Sequence, residues 1–294
     1  MIDAETGARA ERFLLPLRVA REVVGERMTI FGSSKLTEGC LQSNRYILDF
    51  LPFDENAGIQ HHCHTLCGRL GAGERVVAQV QTLLNELGGV RFLGVAEEDN
   101  RIVYKVYLGM KAAPAPPSLR AVTGQVALGA AIGWVAETDH LAVKRYAGIP
   151  VISQESLLPL VREALFPPEN AGIYRDQRDA LWRACRHILA NTRDPLALFL
   201  VKSTTTSRQS VDIKLAQFSI NAVAHHLRDM AVALHLPPAP FADWLAKQGE
   251  NQLSRLAVGS DAQGRPFITT YSWGMENPAI NYARMGSFLE NEPI

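Results

Sequence analysis

The chain has 294 residues, of which 47% are hydrophobic, so it is long enough to bury a sizeable core in one domain. Lys and Arg together number 30, as do Asp and Glu, and the resulting formal net charge of zero argues against a protein committed to nucleic acid or to an anionic membrane surface. No apolar run approaches the length of a membrane span, and the four cysteines do not suggest a disulfide framework. We therefore expect a cytoplasmic protein that forms a single domain over residues 1–294.

Alternating apolar and polar residues predict five β-hairpins, each preceded by a helical or partly helical stretch. In chain order, the predicted hairpins span residues 31–50, 90–110, 132–149, 197–218 and 253–273. The helical patterns lie at residues 8–27, 74–87, 154–165, 173–190, 221–234 and 241–247. Residues 118–130, before the third hairpin, contain several small residues and form a poorer helical pattern.

The second strand of several hairpins is apolar on one face only. In residues 102–109 the apolar even positions alternate with Lys105 and Tyr107, and residues 211–218 show the same alternation around Lys214. An antiparallel strand that is covered by helices on one face has this pattern. If the helices surround a closed ring, the polar face points into its lumen. We therefore predict an α+β fold, a closed antiparallel ten-stranded β-barrel of five hairpins surrounded by helices.

A cationic residue recurs at a similar place in four successive hairpins. These residues are Arg45, Lys105, Lys144 and Lys214. Four like charges that face one lumen repel each other and must be offset by something. A diphosphate offsets them through charge-assisted hydrogen bonds, so the pattern predicts an anion site.

Tyrosines accompany these cations. Tyr107 and Tyr146 each stand two residues after a lysine, and Tyr271 occupies the matching strand of the last hairpin. Ordinary strand packing is one explanation, because Tyr favours strands. The functional interpretation is an aromatic wall that excludes water and stabilises a carbocation through its π-faces.

These motifs resemble those of the ABBA-type prenyltransferases, whose barrel is also called the PT barrel. Lys-Val-Tyr at residues 105–107 and Lys-Arg-Tyr at residues 144–146 resemble the Lys-X-Tyr steps that line the diphosphate site of this family. Residues 258–271 are similar to the family's last hairpin. The first hairpin is most similar to the cyanobactin-type peptide prenyltransferase branch, in which a Glu and an Arg flank the pocket and match Glu38 and Arg45.

The resemblance covers residues 31–273 and implies a prenyltransferase of natural product biosynthesis. Such an enzyme transfers a prenyl group from dimethylallyl or geranyl diphosphate to a nucleophilic side chain of a peptide, in particular a cyclic one. The implied roles are diphosphate binding by Arg45, Lys105, Lys144 and Lys214, shielding of the carbocation by Tyr107, Tyr146 and Tyr271, and proton acceptance by Glu38. The alternatives are prenylation of a small aromatic such as an indole or a phenol, and a non-catalytic barrel that binds an isoprenoid or an anion. The sequence leaves the prenyl chain length, the alkylated atom and the use of Mg²⁺ open.

Two residues depart from the family pattern. Ala216 stands where a Tyr is expected two residues after Lys214. Arg145 interrupts the apolar face of its strand, which leaves the register of the third hairpin open.

The local cluster His-His-Cys-His-Thr-Leu-Cys at residues 61–67 offers a competing hypothesis. Its histidines and cysteines can supply three zinc ligands. The spacing is not that of a zinc knuckle, however, and the sequence shows no second cluster of ligands, so we interpret the segment as a loop or the start of a helix and predict no metal site. His225 and His226 lie in an amphipathic helix and are interpreted as surface or supporting residues rather than as ligands.

Overall fold

The computed structural model describes residues 4–24, 28–50, 58–98, 100–114, 125–136, 138, 140–152, 154–167, 172, 174–191, 196–203 and 208–273. The elements in chain order are α1 (Ala4–Val24), β1 (Met28–Thr37), β2 (Cys40–Gln42), β3 (Arg45–Phe50), α2 (Gly58–Arg69), α3 (Glu74–Leu87), β4 (Val90–Glu98), β5 (Arg101–Pro114), β6 (Gln125–Val135), β7 (Leu141–Ile152), α4 (Gln154–Leu165), α5 (Arg175–Ala190), β8 (Leu196–Ser203), β9 (Gln209–Ser219), a 3₁₀ turn (Ile220–Val223), α6 (Ala224–Ala233), α7 (Pro238–Gln248), β10 (Gln252–Ser260) and β11 (Pro266–Trp273). Among the helices described, none is both long and apolar enough to cross a membrane.

All the strands belong to one antiparallel sheet, and pairing of β1 with β11 closes it. Gly32 pairs with Ser272 of β11 and also with Tyr46 of β3, so β11 and β3 occupy opposite edges of β1. The short strand β2 pairs with the last part of β1, along the same edge of β1 that pairs with β3. Strands β2 and β3 are therefore two pieces of one interrupted strand, which leaves ten strands around the ring. The predicted ten-stranded barrel of five hairpins inside a helical layer is confirmed.

The hydrophobic core lies between the barrel and its helices. One cluster packs α1, α2 and α3 against β3, β4, β5 and β6, and the other packs the four remaining helices against β9, β10 and β11. The predicted apolar face of β5 is buried in the first of these clusters, at Ile102, Tyr104, Val106 and Leu108. Because the helices bury this outer face, every second residue of a strand points into the lumen.

Hydrogen bonds from large aromatic side chains fix the helices on the barrel. The hydroxyl of Tyr46 donates to the carbonyl oxygen of Phe13 in α1 at 2.7 Å. The indole nitrogen of Trp134 donates to the carbonyl oxygen of Leu70, just after α2, at 3.2 Å. These bonds satisfy the polar atom of each buried aromatic group and set the position of the helix above the strand.

The segment before the third hairpin corrects the sequence analysis. Residues 118–130 form a poor helical pattern, but the structure has strand β6 at Gln125–Val135, and the earlier part of the segment lies outside the described residues. Gly129, Ala131 and Gly133 lie opposite inward-facing residues of the neighbouring strands. These residues are small because they line the lumen, where a larger side chain would fill the cavity described below.

The histidine and cysteine cluster forms the helix α2. Cys63 and Cys67 stand one turn apart on its buried face, whereas His62 and His64 are exposed. A hydrogen bond that the Cys67 thiol donates to Cys63, together with burial, raises the pKa of Cys67. The two cysteines therefore serve as small core residues of the helix.

Arg145 fits the barrel without any change of register. Its guanidinium contacts the carboxylate of Glu86 on α3, with nitrogen–oxygen distances of 2.7 and 3.3 Å. The side chain therefore points out to the helical layer. Its neighbours Lys144 and Tyr146 consequently point into the lumen, where both line a cavity.

The approach of β9 to β10 requires a glycine at position 259. A Cβ atom there would lie 2.6 Å from Cα of Ser210 and would also overlap the carbonyl oxygen of Gln209. Since these are backbone atoms, they cannot rotate away, so we expect Gly259→Ala to lower the free energy of unfolding by about 1–3 kcal/mol. The matched control is Gly32→Ala on β1, where the nearest atoms would lie 3.8 Å away. Urea unfolding measures both free energies. Equal losses of unfolding free energy in the two variants would contradict the described register of β9 and β10.

Candidate functional site in the barrel lumen

The lumen contains two cavities that meet near its middle. Because the five hairpin turns all lie at one end of the barrel, we call the two the turn-end cavity and the helix-end cavity. Their volumes, including the space at their open mouths, are about 400 and about 790 Å³. Four residues line both cavities: Tyr107, Tyr146, Asp212 and Tyr271. A ligand that spans the lumen must pass these four side chains.

Cationic side chains surround the turn-end cavity. The cations that line it are Arg45, Lys105, Lys144 and Arg208. Lys35 on β1 adds a fifth charge, with Nζ 5.1 Å from the ring centroid of Phe267, and the guanidinium of Arg208 lies 4.8 Å from the same ring. We call these five residues the cation cluster.

One carboxylate pairs with the cation cluster among the described residues. Oε1 of Glu98 lies 2.8 Å from Nζ of Lys105 and 3.2 Å from Nη1 of Arg45. The two cations hold the pKa of Glu98 well below its usual range, Lys105 having the larger effect. Glu98 therefore stays ionised and orients both cations.

Burial and neighbouring positive charges together lower the pKa values of the lysines in the cluster. Burial lowers the pKa of Lys35 to about 7, and the charges of Arg208 and Arg45 contribute. Burial also lowers the pKa of Lys105, and it lowers that of Lys144 to well below the usual value. A bound polyanion would reverse these shifts, because an opposite charge favours the protonated lysine. The turn-end cavity therefore has the electrostatics of an anion site.

Three tyrosines form the constriction between the cavities. The ring centroids of Tyr107 and Tyr146 lie 5.9 Å apart with an interplanar angle of 56°, and the edge of Phe92 meets Tyr107 at the same centroid separation. Burial raises the pKa of Tyr107, Tyr146 and Tyr271, so their hydroxyls stay neutral. The aromatic wall predicted from the sequence therefore has a definite place, directly next to the cation cluster.

The helix-end cavity has a mostly apolar wall with a few charged groups. Its apolar wall includes Phe31, Ile47, Phe92, Leu108 and Phe199. The guanidinium of Arg255 lies 5.5 Å from the ring centroid of Phe92 and 5.7 Å from that of Phe199. This wall suits a flat aromatic ligand, because rings and guanidinium planes both stack on such a molecule.

Two carboxylates face the helix-end cavity. Asp49 on β3 lies 3.4 Å from Nε of Arg91, and burial raises the pKa of Asp49. Burial raises the pKa of Asp212 to about 6, although Arg255 and Arg208 oppose the shift. Because Asp212 also lines the turn-end cavity, it is the acid at the junction.

Most of the predicted site residues come together in the lumen. Arg45, Lys105 and Lys144 line the turn-end cavity, and the three predicted tyrosines form the constriction. That they bind a diphosphate and shield a carbocation stays a prediction.

Lys214 does not join the other predicted cations. It stands six residues after Arg208 along β9, which corresponds to about 20 Å of strand at about 3.3 Å per residue. Its side chain is exposed, and it pairs across the strands with Arg255, at the opposite end of the lumen. The alternation placed Lys214 on the correct face of the strand but gave no information about its height in the barrel.

Glu38 lies outside both cavities. It occupies the turn between β1 and β2, where its Oε1 accepts a hydrogen bond of 2.6 Å from Nδ1 of His235. The backbone N–H of the next residue, Gly39, donates to the carbonyl oxygen of Leu234. The turn is therefore fixed to the helical layer, and the expectation that Glu38 lies on a strand facing the pocket is corrected.

Four lumen residues with a clear place in the site escaped the sequence analysis. They are Lys35, Glu98, Arg208 and Asp212. Asp212 was visible in the alternation of its strand, and its cationic surroundings were the missing information. Arg208 stands just before β9 begins, where strand alternation gives no direction for a side chain.

Comparison with solved structures finds similar folds at low sequence identity. The crystal structure of NotF prenyltransferase matches with a TM-score of 0.54 and 12% identity, over 84% of this chain and 80% of that chain. NotF in complex with brevianamide F and DMSPP matches with a TM-score of 0.51 and 12% identity, over 91% of this chain and 92% of that chain. This chain has the ABBA prenyltransferase barrel fold.

Other comparisons add little to this result. For 5-dimethylallyltryptophan synthase from Streptomyces coelicolor the TM-score is 0.49 at 12% identity, over 92% of this chain and 97% of that chain. No model of a protein family matches the chain, and no curated protein sequence matches it. The ABBA barrel is therefore shown as a fold, and the activity must be argued from the site.

The cation cluster predicts an anion site with a defined position. We expect Lys105→Ala and Lys144→Ala each to weaken binding of inorganic pyrophosphate about ten- to a hundredfold, because each removes a charge-assisted contact worth about 1.5–3 kcal/mol. Lys214→Ala is the matched control and should bind within about twofold of the wild type, because Lys214 does not line the turn-end cavity and its exposed side chain lies beside Arg255, toward the other end of the lumen. Isothermal titration calorimetry measures the pyrophosphate affinity of all three variants. A loss of affinity in Lys214→Ala equal to that in the other two variants would contradict the placement of the anion site in the turn-end cavity.

The lowered pKa of Lys35 predicts that anion binding takes up a proton. Above about pH 7 Lys35 is increasingly neutral in the free protein, and a bound anion raises its pKa. Affinity for pyrophosphate should therefore fall as the pH rises above about 7. Deprotonation of Lys35 accounts for a decrease in affinity of up to about tenfold per pH unit. Lys35→Met should show a shallower pH dependence, and the titration of the ligand itself is common to both proteins. Equal slopes for the two proteins would contradict the coupling.

Proposed function

We propose that the protein is a prenyltransferase that transfers a prenyl group from an allylic prenyl diphosphate to an aromatic acceptor. The observation that carries this proposal is the direct junction, through Tyr107, Tyr146 and Tyr271, of a cation cluster with an aromatic-walled cavity in one lumen. An allylic diphosphate needs both surroundings in this order. Its anionic end requires cations, and its carbocation requires a dry aromatic wall.

The diphosphate end of the substrate would occupy the turn-end cavity. Arg45, Lys105, Lys144 and Arg208 line that cavity, and Lys35 adds to its positive potential. These donors stabilise the negative charge that builds up on the leaving group as the bond between C1 and the diphosphate oxygen breaks. The prenyl chain would then point toward the tyrosines.

The aromatic acceptor would occupy the helix-end cavity. A ring stacked beside Phe92 and Arg255 lies on the other side of the tyrosine constriction from the diphosphate. A ring carbon attacks C1 of the allylic cation, a new carbon–carbon bond forms, and the ring then loses a proton to restore its aromaticity. Dimethylallyl and geranyl diphosphates are the donors that we expect, with an indole or a phenol as acceptor.

Asp212 is the residue best suited to accept that proton. It lines both cavities, and its pKa of about 6 leaves it ionised at neutral pH while keeping it a useful base. Glu38, expected from the sequence to fill this role, is bonded to His235 outside the lumen.

The nature of the acceptor rests on the same geometry. The similarity of the first hairpin to the peptide-prenylating branch depends on Glu38 and Arg45, of which Arg45 alone lines a cavity. We therefore favour an aromatic ring as the alkylated group and keep a peptide as an acceptor to be tested. The neighbouring NotF structure contains brevianamide F and DMSPP, which supports an aromatic acceptor beside a prenyl donor.

An activity assay separates an enzyme from a barrel that only binds isoprenoids. The protein is incubated with dimethylallyl or geranyl diphosphate and with an indole, a phenol, or a cyclic peptide containing Trp or Tyr, with and without Mg²⁺. We expect pyrophosphate release that depends on the acceptor, and a product heavier by one prenyl group in mass spectrometry. Binding of the diphosphate without product in any combination would contradict the proposal.

The role of Asp212 is tested with the same assay. Asp212→Asn should lower turnover about 10²–10⁴-fold, the usual range for a general base, and should leave the affinity for a prenyl thiodiphosphate equal or tighter because a negative charge is removed. The turnover of the wild type should fall as the pH drops below about 6, and the variant should lack this limb.

Glu38→Gln is the matched control for this prediction. It also exchanges a carboxylate for an amide, but outside the lumen, so its turnover should equal that of the wild type. Normal turnover in Asp212→Asn, or an unchanged acidic limb, would show that Asp212 is not the base. A large loss of turnover in Glu38→Gln would restore the role expected from the sequence.

A further inference from the structure

Three histidines from two helices meet outside the barrel. His187 lies in the last turn of α5, and His225 and His226 lie in the first turn of α6. One ring nitrogen from each lies within 4.8 Å of the other two. The ring centroids of His225 and His226 are 3.6 Å apart, and those of His187 and His226 are 4.0 Å apart. None of the three lines a lumen cavity, so the catalytic proposal does not account for them.

The ring nitrogens of this histidine cluster are poorly explained by packing alone. Nε2 of His226 is buried and has no hydrogen-bond partner in the part of the chain that the structure describes. A buried ring nitrogen without a partner costs about 1–3 kcal/mol. Three imidazoles in contact also repel each other whenever they are protonated. A ligand that accepts nitrogen lone pairs removes both costs.

We propose that His187, His225 and His226 bind a divalent transition-metal ion, with Zn²⁺ as the ion that suits them. Neutral imidazole nitrogens are preferred ligands of Zn²⁺, and three protein ligands with one open position are a common set. Zn–N bonds of about 2.0–2.1 Å require ligand nitrogens about 3.3 Å apart, so the ring nitrogens must approach one another by at most about 1.5 Å. His187 and His225 are exposed and can make this movement.

An acidic residue of α6, Asp229, interacts electrostatically with His226. Asp229 stands three residues after His226, and residues at this spacing are neighbours on a helix surface. Its carboxylate can occupy the open position or accept a hydrogen bond from a ligating ring. A metal held in this way links α5 to α6, two of the helices that cover β9 and β10 in the core. The ion would therefore stabilise the helical layer and would not take part in prenyl transfer.

The site is tested by titrating Zn²⁺ into protein that carries no affinity tag and has been treated with a chelator. We expect one ion per chain by isothermal titration calorimetry, and weaker binding by at least about tenfold in His187→Gln and in His226→Gln. The double variant His62→Gln/His64→Gln is the matched control. It removes two exposed histidines of α2, next to the cysteines of that helix, and should bind like the wild type.

Two further outcomes decide the proposal independently of any change in folding. Co²⁺ added to the wild-type protein should give the visible absorption of a four-coordinate site with nitrogen ligands, and this signal should be absent from His187→Gln/His225→Gln/His226→Gln. Zn²⁺ should also raise the thermal midpoint of the wild type and leave that of the triple variant unchanged. Equal binding of Zn²⁺ by the wild type and the triple variant, or loss of binding in the α2 control, would overturn the proposal.

Discussion

Closure of the sheet is the constraint on which the rest of this structure depends. Once β1 pairs with β11, the sheet closes into a ring, and every residue of a strand points either to the helices or into the lumen. The helices bury the apolar positions, so the polar positions of neighbouring strands must face one another across a narrow space. Small residues on the inner face of β6, such as Gly129 and Gly133, keep that space from filling with side chains. A cavity with converging charges is therefore a direct consequence of the barrel and its pattern of residues.

The electrostatic cost of this arrangement provides the binding energy for an anion. Like charges in a buried site repel each other, and the cation cluster gathers five cationic side chains at one end of the lumen, with Glu98 paired to two of them. Burial is the main cause of the lowered pKa values of Lys35, Lys105 and Lys144, and repulsion from neighbouring cations adds to it. A bound diphosphate would relieve that repulsion, and the cations would already stand where charge develops when the leaving group departs. The tyrosines next to the cluster would keep water from the other end of the same substrate.

The sequence predicts the side of the strand on which a residue lies better than it predicts the residue's height in the barrel. Period-two alternation correctly turned Lys105 and Tyr107 into the lumen, and it correctly assigned Lys214 to the inner face. The pairing register sets height, and it depends on contacts between distant segments that the alternation does not contain. Lys214 was therefore grouped with cations that line the turn-end cavity, which Lys214 does not line. For the same reason Arg208, which stands just before its strand, was missed.

The central claim is that the turn-end cavity holds the diphosphate and that the tyrosines hold the prenyl chain. A crystal structure of the protein with dimethylallyl thiodiphosphate tests it most directly. The account predicts phosphate oxygens within hydrogen-bond distance of Arg45, Lys105, Lys144 and Arg208, with the prenyl chain against Tyr107, Tyr146 and Tyr271. Density for the diphosphate beside Lys214 and Arg255 at the opposite end of the lumen, or outside the barrel, would contradict it.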